Sequence, residues 1–129
     1  MLAASAQEIF QMPKNVQSRV SSFENLNGLK GNGGRTNKTA KGNAFETIKE
    51  GETKTLLDIN GQGTINRIWL TVNRSALMLR SLRLKMFWDG EAKTAVDVPL
   101  GDFFVYNLGK GVAFQSEFFS SGEGRSFNC

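Results

Sequence analysis

The chain has 129 residues, a net charge of +4, 40% apolar residues and 14 glycines, enough for one domain or part of one and suited to a loop-rich β protein. It holds no histidine and a single cysteine, Cys129, which excludes His/Cys zinc sites, Ser-His-Asp and Cys-His catalysis and any internal disulfide. No run approaches the ~18 apolar residues of a membrane-spanning helix, so neither a membrane partner nor a metal or other cofactor is expected.

The opening residues end in Ala4-Ser5-Ala6, the small-x-small form of a secretory cleavage site. Residues 1–6 therefore read as a signal-peptide remnant, and a periplasmic or secreted location follows as an expectation. Residues 7–50 read as an N-terminal arm, with Pro13 breaking any helix, followed by a Gly/Asn-rich loop over 25–43. That loop carries Lys30, Arg35, Lys38 and Lys41 and no acid. Gly31-x-Gly33 is followed by Thr36 where a dinucleotide fingerprint needs glycine, so a phosphate cradle is not supported. A solvated loop, a pocket wall and a subunit contact stay open. Single-strand binders interleave basic residues with aromatics; residues 26–44 contain no aromatic, which argues against a nucleic-acid partner.

From Gly51 strand signals recur at short intervals. Lys54 to Asn60 is one candidate strand. Thr64 to Val72 is another, with apolar residues on both faces, the pattern of a central strand covered on two sides. Asn73 to Leu79 reads as a short helical turn with Ser75 as N-cap. Leu82, Leu84, Met86 and Trp88 then alternate with Arg83 and Lys85, Asp89-Gly90 supplies a tight turn, and Val96, Val98 and Leu100 alternate with Asp97. This is a β-hairpin, ended by Pro99, which cannot donate to a ladder. Phe103–Leu108 and Val112–Phe119 are two more candidates across Gly109-Lys110-Gly111. Gly122-Glu123-Gly124 reads as a turn, and Arg125–Cys129 begins a last strand. The spacing predicts an all-β fold, a sandwich or barrel. About six strands and a stub fall short of the eight of a jelly roll. Residues 51–129 thus read as one β domain of that kind.

Several motifs, in order, carry a family resemblance: Phe23-Glu24-Asn25, Lys41-Gly42, Gly51-Glu52-Thr53-Lys54-Thr55-Leu56-Leu57-Asp58, Gly63-Thr64-Ile65-Asn66-Arg67-Ile68-Trp69-Leu70-Thr71, Trp88-Asp89-Gly90, Val98-Pro99-Leu100-Gly101-Asp102-Phe103-Phe104 and Glu123-Gly124-Arg125-Ser126-Phe127-Asn128-Cys129. From about Ser21 onward the chain resembles glycoside hydrolase family 172, formerly domain of unknown function 2961, in its N-terminal portion. The resemblance implies paired jelly rolls, residues 51–129 being a partial β jelly-roll domain of the β-sandwich type, homo-oligomers (trimers or their multiples), and retaining hydrolysis or transfer of furanosides such as fructofuranosides and arabinofuranosides. A carbohydrate substrate follows as the expected partner. Thr94 and Gly122 stand where the family usually has Pro, and Val105 where it usually has Gly. In the family, the carboxylates assigned to catalysis lie downstream of the segment matched by Arg125–Cys129. No residue here matches them, so no catalytic residue is carried over.

The resemblance makes this chain an N-terminal fragment of a retaining two-carboxylate glycoside hydrolase, inactive alone. The alternative is a non-catalytic carbohydrate-binding or assembly β-sandwich. Substrate-binding candidates are Asp102, Phe103, Phe104, Trp88 and Asp89. Asp102 sits where a strand leaves the sheet and can accept sugar hydroxyls while Phe103 or Phe104 packs on a ring. The competing reading has Asp102 capping a turn and both phenylalanines filling the core. Asp89 is a turn residue first, and Trp69 and Trp88, though their faces suit a sugar ring, sit on alternating strands where tryptophan is most often core. A half-sandwich also predicts an uncovered apolar face prone to association.

Overall fold

The computed structural model describes residues 12–36, 45–106, 111–122 and 126–129. Ala4-Ser5-Ala6, Lys38, Lys41, Gly109-Lys110 and Glu123-Gly124-Arg125 lie outside them. The chain divides into two units, Met1–Gln62 and Gly63–Cys129.

In the first unit the arm forms a turn, with Val16 N–H donating to the Pro13 carbonyl at 3.0 Å, and its described residues contain no helix. The expected strand Lys54–Asn60 is absent, and its backbone explains why. The Leu56 carbonyl accepts from Ser21 Oγ at 2.6 Å and the Asp58 carbonyl from Asn27 Nδ2 at 2.8 Å. Asp58 N–H donates to the Leu26 carbonyl at 3.1 Å. Groups that a neighbouring strand would pair are taken one at a time by the segment around residues 21–27.

The second unit is all-β in its sheets, with two short helices. Among the described residues six strands form: β1 (Trp69–Leu70), β2 (Arg83–Met86), β3 (Val96–Pro99), β4 (Phe114–Gln115), β5 (Ser120–Ser121) and β6 (Phe127–Asn128). Pairing is antiparallel throughout, in a sheet ordered β1-β6-β5-β4 and a hairpin β2-β3.

The hairpin follows the alternation. Leu84 faces Val98 and Met86 faces Val96 on the inner side, while Lys85 and Asp97 share the wet side. Across that side Arg83 Nε donates to Asp97 Oδ1 at 2.6 Å. At the loop tip Asp89 and Gly90 both have positive φ, 55° and 73°, and Glu91 N–H closes on the Trp88 carbonyl at 3.0 Å. Positive φ at both central residues is what a hairpin-type turn demands. The ladder itself ends earlier, at Met86 and Val96, so this turn sits at the end of a longer loop.

Helix α1 (Ala76–Ser81) starts at Ser75, whose Oγ accepts the Met78 N–H at 3.3 Å. Helix α2 (Leu100–Phe103) replaces the start of the strand expected over Phe103–Leu108. Its end is a Schellman motif: Tyr106 N–H reaches the Gly101 carbonyl at 2.7 Å and Val105 N–H the Asp102 carbonyl at 3.1 Å. Val105 occupies the left-handed position of that motif with φ 66°. Phe104 therefore ends a helix instead of continuing a strand, and the chain turns back.

Val105 is mostly exposed and β-branched, so its backbone is strained with little packing in return. Val105→Gly should stabilise this unit by about 1 kcal/mol, the ~1–2 kcal/mol of left-handed strain less the ~0.5–1 kcal/mol of added chain entropy. Thermal melts check it; an unchanged or lowered midpoint contradicts the strain.

Thr64–Val72 yields only β1, and it is an edge strand rather than the central one expected. It pairs with β6 alone; Ile68, Leu70 and Val72 turn to the core while Ile65 and Trp69 are exposed. Val112–Phe119 shortens to β4, because Ser116 folds the chain over. Ser116 N–H donates to the Phe119 carbonyl at 2.8 Å and Ser116 Oγ accepts the Phe119 N–H at 3.0 Å. The core is Leu79, Leu84, Leu100, Phe104, Tyr106 and Phe127. Tyr106, buried, donates its hydroxyl to the Val112 carbonyl at 3.0 Å and hydrogen-bonds Ser121 Oγ. The one polar handle of the core is thereby satisfied.

Candidate functional site

The five residues singled out from the sequence fall in two places. Asp102, Phe103 and Phe104 lie on α2 and its cap. Trp88 and Asp89 lie at the hairpin tip. Asp102 is engaged by Arg80 of α1, whose Nη1 lies 2.5 and 2.6 Å from the two carboxylate oxygens. This half-exposed pair ties the end of α1 to α2, an interaction of about 0–1 kcal/mol at such exposure. Phe104 is 1% exposed and meets Phe103, Phe119 and Phe127 at centroid distances of 5.0, 6.4 and 5.3 Å. Its ring faces are occupied by the core. Phe103 is partly buried and packs edge-on to Phe104 and Phe119.

Trp88 belongs to a different surface. An open groove of about 540 Å³ is lined by Ile65 to Ile68, Met86, Trp88, Glu117, Phe118, Asn128 and Cys129. Of the five candidates only Trp88 lines it. Its elements converge from the segment leading into β1, the end of β2, the β4–β5 turn and β6. Trp88 is 48% and Phe118 71% exposed, so both rings offer free apolar faces. Arg67 is held in place: its Nε donates to Asn128 Oδ1 at 2.6 Å, and Asn128 Nδ2 donates to Ser120 Oγ at 3.1 Å. A side-chain relay across β6 and β5 thus fixes one cation in the groove. Glu117, carried by the Ser116–Phe119 turn, is the one carboxylate among the lining residues.

Glu117, Phe118, Asn66 and Asn128 were not among the sequence candidates. The serine that folds the chain at 116 was the available signal, since Ser side chains close turns on backbone two or three residues on. The groove can bind through apolar ring packing on Trp88 and Phe118, with Arg67, Asn66 and Asn128 to hydrogen-bond hydroxyls. Among the described lining residues Glu117 is the one acidic side chain, where acid–base hydrolysis uses two. No group of three or more His, Cys, Asp or Glu suited to a metal occurs among the described residues. No described helix is long and apolar enough to cross a membrane.

The unit is all-β, and its groove combines exposed aromatic rings with hydrogen-bonding side chains. A family model described as GH172 domain-like matches residues 38–124, and the chain belongs to that glycoside hydrolase family. No curated protein and no solved structure matches it.

Proposed function

We propose that the chain is a domain of a furanoside-acting hydrolase, of jelly-roll type, in which the groove beside Trp88 contacts the sugar and the catalytic acids come from polypeptide outside these residues. The observation that carries this is a groove with one acidic side chain, Glu117, among its described lining residues, in a chain of a glycoside hydrolase family. Retaining hydrolysis needs two carboxyl groups about 5–5.5 Å apart, one to attack and one to donate a proton. Asp97 and Asp102 are each bound to an arginine. The substrate class on this reading is a fructofuranoside or arabinofuranoside, and the setting is a homo-oligomer in the periplasm or outside the cell. On this reading Asp89, at the hairpin tip next to Trp88, meets a longer sugar chain.

A second reading, a non-catalytic carbohydrate-binding or assembly module, draws on the same groove, because exposed aromatics and a lone acid suit binding without cleavage. Aryl furanosides offered to the 129-residue chain should release no aglycone above background. Ordinary turnover would overturn the assignment of the acids elsewhere. The product of the longest natural reading frame separates the two readings: hydrolysis supports the first, and calorimetric glycan binding without hydrolysis supports the second.

A further inference from the structure

Two adjacent residues of the first unit close the loop that follows them, and they do so by different chemistry. Asn25 is buried and neutral. Its Oδ1 accepts the Leu29 N–H at 2.9 Å and its Nδ2 donates to the Leu29 carbonyl at 3.1 Å. Its backbone carbonyl also accepts Gly28 N–H at 3.1 Å.

Glu24 is charged and half-buried, and closes the far half. Its Oε1 accepts the Gly34 N–H; its Oε2 accepts the Thr36 N–H at 2.8 Å and the Thr36 hydroxyl. Gly34 is left-handed, φ 75°, which helps turn successive amides to one side. Amides converging in this way make a concavity that holds anions. Here the anion is internal to the chain.

We propose that Glu24 is a carboxylate latch: residues 31–36 form a releasable flap held shut by its charge, beside a 25–29 half that Asn25 keeps folded at any pH. Arg35 and Lys30 are the charged groups of the loop; Arg35 Nε donates to the Gly31 carbonyl at 3.2 Å, and no second acid occurs between 25 and 36. Among the described residues of this unit, Arg19 bonds Gln17, and Lys54 pairs with Glu46 and Glu52. The Thr36 hydroxyl, then the Thr36, Gly34 and Arg35 amides, hold the Glu24 carboxyl below its ordinary 4.5. A folded-state value lowered in this way means that closure is fully present above about pH 4.5 and is lost as pH falls through the lowered value.

Amide NMR on the whole chain tests this. The Gly34 and Thr36 amide shifts should titrate together with the Glu24 carboxyl, with a midpoint below 4.5, while Leu29 stays flat. In Glu24→Gln that titration disappears and exchange at Gly34 and Thr36 rises several-fold, with Leu29 unchanged. In Glu24→Ala, added acetate should slow exchange at the same two amides by entering the vacated concavity. Unchanged exchange at 34 and 36, equal loosening at Leu29, or no effect of acetate would each overturn the latch. Should the Glu24 variants fail to fold, Thr36→Val keeps the carboxylate and removes its first donor. The Glu24 midpoint must then move up toward 4.5; one that stays in place refutes the proposal.

Discussion

Phe104→Ala should abolish the cooperative melt of the second unit. The ring is 1% exposed and touches three other aromatic rings, so its removal loses both burial and contacts that neighbours cannot restore by collapse. Such a truncation costs about 3–5 kcal/mol. A unit whose buried apolar core is six side chains has about that much stability in total. Circular dichroism during heating or urea titration would show a flat, non-cooperative profile. Phe103→Ala, at a partly buried site on the rim of the same cluster, should leave a transition at lower midpoint. The pair also separates two roles for the aromatic run. A Phe104 variant that melts within about 1 kcal/mol of the parent would mean that the ring is free, as sugar packing would require, and that the core lies elsewhere.

The elements legible in the sequence were those whose signal is local. The hairpin carried its register in the alternation of Leu84 and Met86 against Arg83 and Lys85, and its turn in Asp89-Gly90. Ser75 announced α1 because an N-cap acts within three residues. Where the deciding partner lies far along the chain, the reading failed. Lys54–Asn60 has the composition of a strand, yet Ser21 and Asn27, some thirty residues earlier, take its carbonyls. Phe103–Leu108 misled for a different reason. A helix end of this geometry is usually marked by glycine at its left-handed residue, and Val105 stands there instead.

The candidate site was legible only in part. Trp88 is in the groove, and family membership was readable from motifs along the chain. Asp102 and Phe104 lay in a conspicuous motif, Val98 to Phe104, whose residues join α1 to α2 and fill the core. Glu24 and Asn25 behave alike: both spend their side chains on folding a loop. Glu117 and Phe118 were hidden inside an apparent strand until Ser116 folded it. A motif in one sequence records a constraint without saying whether packing or chemistry imposes it.

Gly101 makes that distinction measurable. It carries no positive φ, so conformational freedom does not explain it. A methyl group there would sit 3.0 Å from Leu79 Cβ, 3.1 Å from the Leu79 carbonyl oxygen and 3.4 Å from that of Tyr106. None of these atoms is the free end of a flexible side chain, and Leu79, on α1, is fully buried in the core. Two effects therefore oppose each other in Gly101→Ala. Helix propensity and chain entropy favour alanine by about 1 kcal/mol. Forcing α1 and α2 apart costs about 1–3 kcal/mol and also strains the Arg80–Asp102 pair and the Tyr106–Gly101 bond. Steric crowding should win, because the two closest atoms belong to the backbone-fixed part of α1. The melt should therefore shift down by several degrees, about 4–8 °C per kcal/mol in a unit of this size. A rise would show that α1 and α2 stand further apart than 3.0 Å at this point, leaving propensity as the only term acting.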